Sequence, residues 1–333
     1  MPTIRQVAEK AGVSPTTVSH VINQTRFVSP EKRERVLAAM IELGYRPNAL
    51  ARSLRRGETH TIGLILPDSA NPFFAEVGRS IEDAAFNLGY NVILCNSEGD
   101  LNKEILYVDV LSKKQVDGII FVASGDQADS LKPLLIQSTP VVVVDRDLPE
   151  VAVDAVLTDN LNGGYLATQH LVELGHRRIA CISGLSNLTP SAQRVVGYRT
   201  ALLDAGLPVD ENLIEQGDFH PESGRQATIH LLCLPEPPTA LFVCNDLMAI
   251  GALCAAAEVG RHIPGDLAIV GFDDIDLASY TVPSLTTVAQ PKTEIGRRAV
   301  QMLIDRIADK SRPVHRELLP AKLMVRQTSR DGL

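Results

Sequence analysis

The chain of 333 residues has no tryptophan, and only 4% of it is aromatic, so aliphatic side chains must build its core. Its five cysteines (Cys95, Cys181, Cys233, Cys244, Cys254) are odd in number and include no CxxC pair, which argues for reduced core thiols over a disulfide framework. The eight histidines show no metal-ligand spacing. The run Asp273-Asp274-Ile275-Asp276 lacks the glycine and terminal glutamate of a calcium loop. No metal or cofactor is therefore expected. No apolar run approaches the roughly 20 residues of a membrane span, and the start Met1-Pro2-Thr3-Ile4-Arg5 has no apolar signal core, so a cytoplasmic protein without membrane contact is expected. A GxSxG elbow, an HExxH helix, a Walker loop and a GxGxxG turn are all missing, and no enzyme class recommends itself.

What is present is uneven in charge. Residues 1–60 hold ten Lys/Arg against five Asp/Glu, whereas the remainder holds 22 against 35, for a whole-chain net of −8. A basic head on an acidic body suits a protein that grips phosphate at one end. The head reads as a helix-turn-helix. Thr3 and Gln6 have capping-box spacing, so a helix should start at Ile4, with Ile4, Val7, Ala8 and Ala11 on one face. Gly12 supplies the turn. Ser14 caps a second helix with Pro15 at its first position, and Val18, Val21 and Ile22 face inward. Pro15, Thr16, Ser19 and His20 then point outward, where they can meet base edges and phosphates. A third helix is expected from Ser29 to Leu43, capped by Ser29 and stopped by Gly44. The plain alternative is a three-helix bundle that binds no nucleic acid.

From His60 onward, β-branched apolar runs alternate with helical patterns. Strands are expected at Thr61–Leu66, Asn91–Leu94, Gly118–Val122 and Val141–Val144, with helices at about Pro72–Leu88, Asn102–Lys114 and Asp129–Gln137. A second series follows: Arg178–Ser183, a short strand near Ile214, Ala240–Cys244, Leu267–Gly271 and a last strand at Leu318–Val325. Ile62 to Gly89 and Ile179 to Gly206 are equal intervals, each running strand, polar loop, amphipathic helix and glycine stop, as if one unit were used in both halves. Two such α/β lobes with parallel sheets would face each other across a cleft at the carboxyl ends of their strands. Asn71, Phe73, Phe74, Asp145, Arg146, Arg194, Phe219, Asn245, Asp273 and Gln290 gather at those ends or where the chain crosses back. Carboxylates accept paired hydrogen bonds from neighbouring hydroxyls, guanidiniums donate, and aromatic faces pack on ring C–H groups, which is the chemistry of a sugar site. Singly, Asn71 and Asp273 also read as caps, the phenylalanines as core and Asp145-Arg146 as a local ion pair.

Ala11-Gly12-Val13-Ser14 through Asn23, the segment Pro47-Asn48-Ala49-Leu50-Ala51-Arg52-Ser53-Leu54 and the two-lobed body resemble the LacI/GalR repressor family along essentially the whole chain. The resemblance implies a helix-turn-helix domain at 1–46, a hinge helix and linker at 47–58, a first core subdomain at 59–161 plus 291–317 and a second at 162–290 plus 318–330. It implies a homodimer on palindromic double-stranded operator DNA, with DNA contacts from Thr3, Ser14, Pro15, Thr16, Thr17, Ser19, His20, Asn23, Arg26, Asn48, Ala51, Arg52, Leu54 and Arg55. Leu54 would wedge into the minor groove, with Arg52 and Arg55 near phosphate. It further implies that the core takes the periplasmic-binding-protein fold, and the ten strand-end residues are similar to the ribose-contact set of the ribose-binding member of that fold. A repressor of a sugar-utilisation operon with ribose or a related pentose as inducer is therefore expected. A purine-responsive co-repressor regulator is the alternative. The positions where a purine site in the family places Trp and an additional Arg hold Arg146 and Leu188 here. No leucine heptads follow the last strand, so the tail-mediated tetramer of part of the family is not expected.

Overall fold

The computed structural model describes residues 2–23, 25–45, 58–123, 125, 131–136, 138–148, 150–185 and 188–330. The expected hinge helix, with Asn48, Ala51, Arg52, Leu54 and Arg55, lies outside them. The chain forms two compact units, residues 1–59 and 60–333.

In the first unit, α1 (Ile4–Ala11) begins at the expected capping box. Thr3 Oγ1 accepts from the Gln6 amide at 3.4 Å, and the Gln6 side chain accepts from the Thr3 amide at 2.7 Å. Gly12 then takes φ +63°, the left-handed turn that glycine adopts without strain. Ser14 Oγ accepts from the Thr17 amide at 3.1 Å and starts α2 (Pro15–Asn23). Ser29, expected to cap α3 (Pro30–Glu42), makes no side-chain capping bond; Pro30 and first-turn Glu31 mark that start instead. Val7, Ala8, Ala11, Val18, Val21, Val36 and Ala39 form the core, with Ile4 and Ile22 half-buried at its edge. Arg35 of α3 donates to the carbonyls of Ala11 and Gly12 and so fastens the turn.

The second unit has β1 (Thr61–Leu66), α4 (Pro72–Asn87), β2 (Asn91–Asn96), α5 (Leu101–Lys113), β3 (Gly118–Phe121), α6 (Lys132–Ile136), β4 (Val141–Val144) and β5 (Asp154–Thr158). It continues with α7 (Asn160–Glu173), β6 (Ile179–Ser183), α8 (Thr189–Asp204), β7 (Ile214–Gln216), α9 (Pro221–Leu232), β8 (Ala240–Val243), α10 (Asp246–Glu258) and β9 (Ala268–Asp273). The last elements are β10 (Thr286–Ala289), α11 (Lys292–Ala308), β11 (Arg316–Leu319) and β12 (Lys322–Met324). The first sheet is ordered β11-β5-β4-β3-β1-β2 and the second β12-β10-β9-β8-β6-β7. Replacing each strand of the first order by its counterpart gives the second, so the repeated spacing seen in the sequence is a repeated topology. Only the edges differ: β11 runs parallel to β5, whereas β12 runs antiparallel to β10.

The strand expected at Leu318–Val325 is two strands in different sheets, joined through Pro320 and Ala321. The expected division at 317/318 therefore falls inside β11. Strands β5 and β10 were not expected. Asp154 opens β5 with a carboxylate that is buried against Arg306, whose Nε and Nη2 donate to it at 2.9 Å each. Thr286 and Thr287 open β10 as polar residues, and both are fully buried on side-chain partners distant in sequence. Sequence alone does not supply those partners. Central strands are covered on both faces: Ile62 and Leu64 join one core cluster and Ile65 the other. Each such buried aliphatic side chain stabilises the fold by about 1.5–3 kcal/mol.

Candidate functional site

The strand ends converge on a cavity of about 510 Å³ lined mainly by residues that follow strands of both sheets. Nine of the ten expected effector residues line it: Asn71, Phe73, Phe74, Asp145, Arg146, Arg194, Phe219, Asn245 and Asp273. Gln290 stands behind Asp273, to whose Oδ1 its Nε2 donates at 2.8 Å. The expected local roles are also present. Asn71 Oδ1 accepts from the Phe73 amide at 3.0 Å, and Asn245 Oδ1 accepts from the Met248 amide at 2.9 Å, so both start helices while facing the cavity. Asn245 Nδ2 reaches the Phe219 carbonyl at 3.0 Å.

Backbone strain marks the same places. Asp145 (φ +66°), Phe219 (φ +71°) and Asp273 (φ +109°) all have left-handed backbones, an arrangement uncommon for non-glycine residues. Phe219 packs so closely on Gly184 that a Cβ there would lie 2.0 Å from its ring.

Two guanidiniums are held in place from behind. Arg194 is buried, and its Nε donates to Asn160 Oδ1 at 2.8 Å and its Nη1 to the Cys244 carbonyl at 2.6 Å. Its Nη1 lies 3.8 Å from Asp273 Oδ1, and its guanidinium stacks 3.7 Å from the Phe272 centroid. Arg146 donates to the Ala123 carbonyl and stands 3.9 Å from Asp145 and 5.8 Å from the Phe74 centroid. Burial pushes the Asp145 carboxyl above the usual range, against the pull of Arg146 and Arg194. Burial likewise lowers Arg146, opposed by Asp145 and Glu104. Asp273 is pushed up to about 6 by burial, against Arg194 and the Gln290 hydrogen bond. Asp145 Oδ1 and Gln290 Oε1 are buried acceptors with no donor among the described residues. The site thus offers fixed donors beside an under-used acceptor at Asp145, which suits a small ring carrying several hydroxyls or N–H groups.

Sequence reasoning did not assign Glu98, Leu185, Asp218 and His220, which line the cavity from connecting segments. Asp218 and His220 flank Phe219 after the three-residue strand β7, and recognising that strand's end was the only pointer available. No cluster of His, Cys, Asp or Glu suited to a metal ion occurs among the described residues. No helix among them is long and apolar enough to cross a membrane.

In the first unit, Thr3, Ser14, Pro15, Thr16 and Arg26 are exposed, whereas Thr17, Ser19, His20 and Asn23 are half-buried. His20 Nδ1 pairs with Thr25 Oγ1 at 2.8 Å, and Asn23 Nδ2 donates to the Ser19 carbonyl at 2.9 Å. The outward face of α2 is therefore partly pre-arranged by its own hydrogen bonds.

Residues 3–48 match the model of bacterial regulatory proteins of the lacI family, and residues 168–329 match a periplasmic binding protein-like domain. The chain is 40% identical over 332 residues, 99% of each chain, to the HTH-type transcriptional repressor PurR of Photobacterium profundum. It superposes on the Lac repressor dimer bound to operator and the anti-inducer ONPF with TM-score 0.89 at 30% identity, covering 98% of both chains. A LacI family transcriptional regulator from Enterococcus faecium with bound ribose matches with TM-score 0.74 at 34% identity, over 82% of this chain and 100% of that one. These relatives are regulators rather than enzymes, and the curated relative matched along 99% of both chains is a PurR repressor, which supports the purine alternative better than the ribose expectation. The helix-turn-helix, the doubled parallel α/β core and these matches together make the chain a member of the LacI family, a DNA-binding transcriptional repressor.

Proposed function

We propose that the chain represses transcription as a homodimer on a palindromic operator and is released by a small hydroxyl-rich ring, a pentose such as ribose, bound between the lobes. One observation carries the effector class: the buried acceptor Asp145 Oδ1, on a residue of the cavity wall, has no donor among the described residues, within a site where Arg146 and Arg194 are already fixed. Vicinal hydroxyls satisfy such acceptors and accept from the two guanidiniums at the same time. Leu188, buried at the cavity wall, adds an apolar contact where a base-reading site would need a donor. Ligand engagement of both sheets' strand ends favours the closed cleft only by its differential affinity, and coupling to the operator of about 1–3 kcal/mol corresponds to roughly 5–150-fold.

A purine is the second reading. It is supported by the 40% identity to a PurR repressor and by Phe74 and Phe219 in one cavity, where a flat base could stack. Calorimetry of ribose against hypoxanthine separates the two, repeated with Asp145→Ala. Ribose affinity that survives in that variant removes the pocket assignment, and heat from hypoxanthine alone transfers the proposal to the purine. An operator selected from random palindromes, titrated by gel shift with and without ribose, tests the sign of regulation. Unchanged binding at saturating ribose removes the inducer role.

A further inference from the structure

Asp246 lies outside the cavity, yet its carboxylate joins the three strand ends that carry Asn245, Asp273 and Gln290. It follows Asn245 directly in the chain. Its Oδ2 accepts from the Ile275 amide at 2.9 Å, two residues beyond Asp273. Its Oδ1 accepts from Thr287 Oγ1 at 2.5 Å, three residues before Gln290. The reach to Thr287 crosses β9 at Gly271, the residue paired with Thr287 in the sheet register. A Cβ at Gly271 would lie 2.3 Å from Asp246 Oδ1, so glycine is what lets the carboxylate pass from α10 to β10. Asp246 and Thr287 are both fully buried. Burial, with Asp273 nearby, pushes the Asp246 carboxyl well above its ordinary range. The segment it holds is the one that needs holding, because Asp273 and Asp274 both have left-handed backbones, φ +109° and +52°.

We propose that Asp246 is a positioning residue for effector recognition: it fixes Asn245, Asp273 and Gln290 in one register without touching the ligand. This role rests on the effector reading above only through the ligand used as probe. The experiment compares Asp246→Ala, Asp246→Asn and Thr287→Val in the full-length protein, by hydrogen exchange without ligand and by calorimetry with ribose. In Asp246→Ala and Thr287→Val, exchange in peptides covering 273–280 and 286–291 should quicken at least tenfold, while the peptide covering β6 stays protected. Ribose affinity should fall about tenfold or more in both. Asp246→Asn should restore both readouts to within about threefold of wild type, since an amide still accepts from Ile275 and can donate to Thr287 Oγ1. A generally destabilised lobe would instead show quickened exchange in β6 as well and no rescue by Asn, and that result overturns the proposal. Should Asp246→Ala fail to fold, Thr287→Val with wild-type exchange at 273–280 overturns it equally. A wild-type protein that ignores ribose while the exchange pattern holds removes the pentose reading and leaves the brace standing.

Discussion

Replacing Asp273 by asparagine should make the ligand-free protein more stable while removing its effector response. Burial holds the Asp273 carboxyl at about 6, up from an ordinary 3.8. A folded-state value above the unfolded one means that the folded chain keeps a proton the unfolded chain has released. Stability from this group is therefore fully present below about 3.8 and is lost as pH rises through about 6. At about 1.4 kcal/mol per tenfold, the interval amounts to on the order of 3 kcal/mol by pH 7.5. Asparagine keeps the volume and an acceptor for Gln290 Nε2, and it sheds the desolvated charge. That figure is already net of the pull of Arg194, whose Nη1 lies 3.8 Å away, but part of the gain is offset because an amide NH2 replaces Oδ2 in a buried site. A net gain of about 1–2 kcal/mol remains, or a Tm rise of about 2–6 °C for a core of this size. Thermal denaturation of wild type and Asp273→Asn from pH 4 to 8, without effector, reads it directly. The difference should be largest above pH 7 and shrink toward pH 4. A variant less stable than wild type at pH 7.5, or a difference that ignores pH, would mean that the buried Asp273 charge does not cost the fold stability. Binding sites that trade stability for recognition behave in this way.

Three further outcomes follow from packing and charge. Gly164→Ala places a Cβ 2.2 Å from the Arg194 carbonyl oxygen, where α7 and α8 meet backbone to backbone, and should lower the denaturant midpoint by an amount equivalent to about 1–3 kcal/mol with an unchanged slope. Arg306→Met strands the buried Asp154 carboxylate and should cost about 3–5 kcal/mol in urea denaturation; the double variant Asp154→Asn/Arg306→Met should recover part of that loss, and equal losses would show that the pair is not coupled. Ser14→Ala removes the cap on α2 and should weaken binding to a selected operator about fivefold, near 1 kcal/mol, while the melting of residues 60–333 stays put; an unaffected gel shift counts against the cap.

Features that rest on neighbours in the chain can be read from residue order. The capping box at Thr3, the left-handed Gly12 and the Ser14 cap are contacts over two to four residues, so spacing alone located α1, the turn and the start of α2. Strands such as Thr61–Leu66 and Val141–Val144 were legible because strands buried on both faces are continuous apolar runs. The strand-end rule then pointed to nine residues that line one cavity, and to Gln290 behind it. What depends on partners remote in sequence emerges only once the chain has folded. Asp154 becomes the start of a strand because Arg306 arrives to bury with it, and Thr286 and Thr287 because Ser329 and Asp246 do. The left-handed backbones at Asp145, Phe219 and Asp273 belong to the same class: unlike those of exposed Gln115 and Ser138, they lie in a cavity wall where several elements meet. Local chemistry is written along the chain, whereas compensation for a buried charge or a strained backbone exists only after distant segments have met.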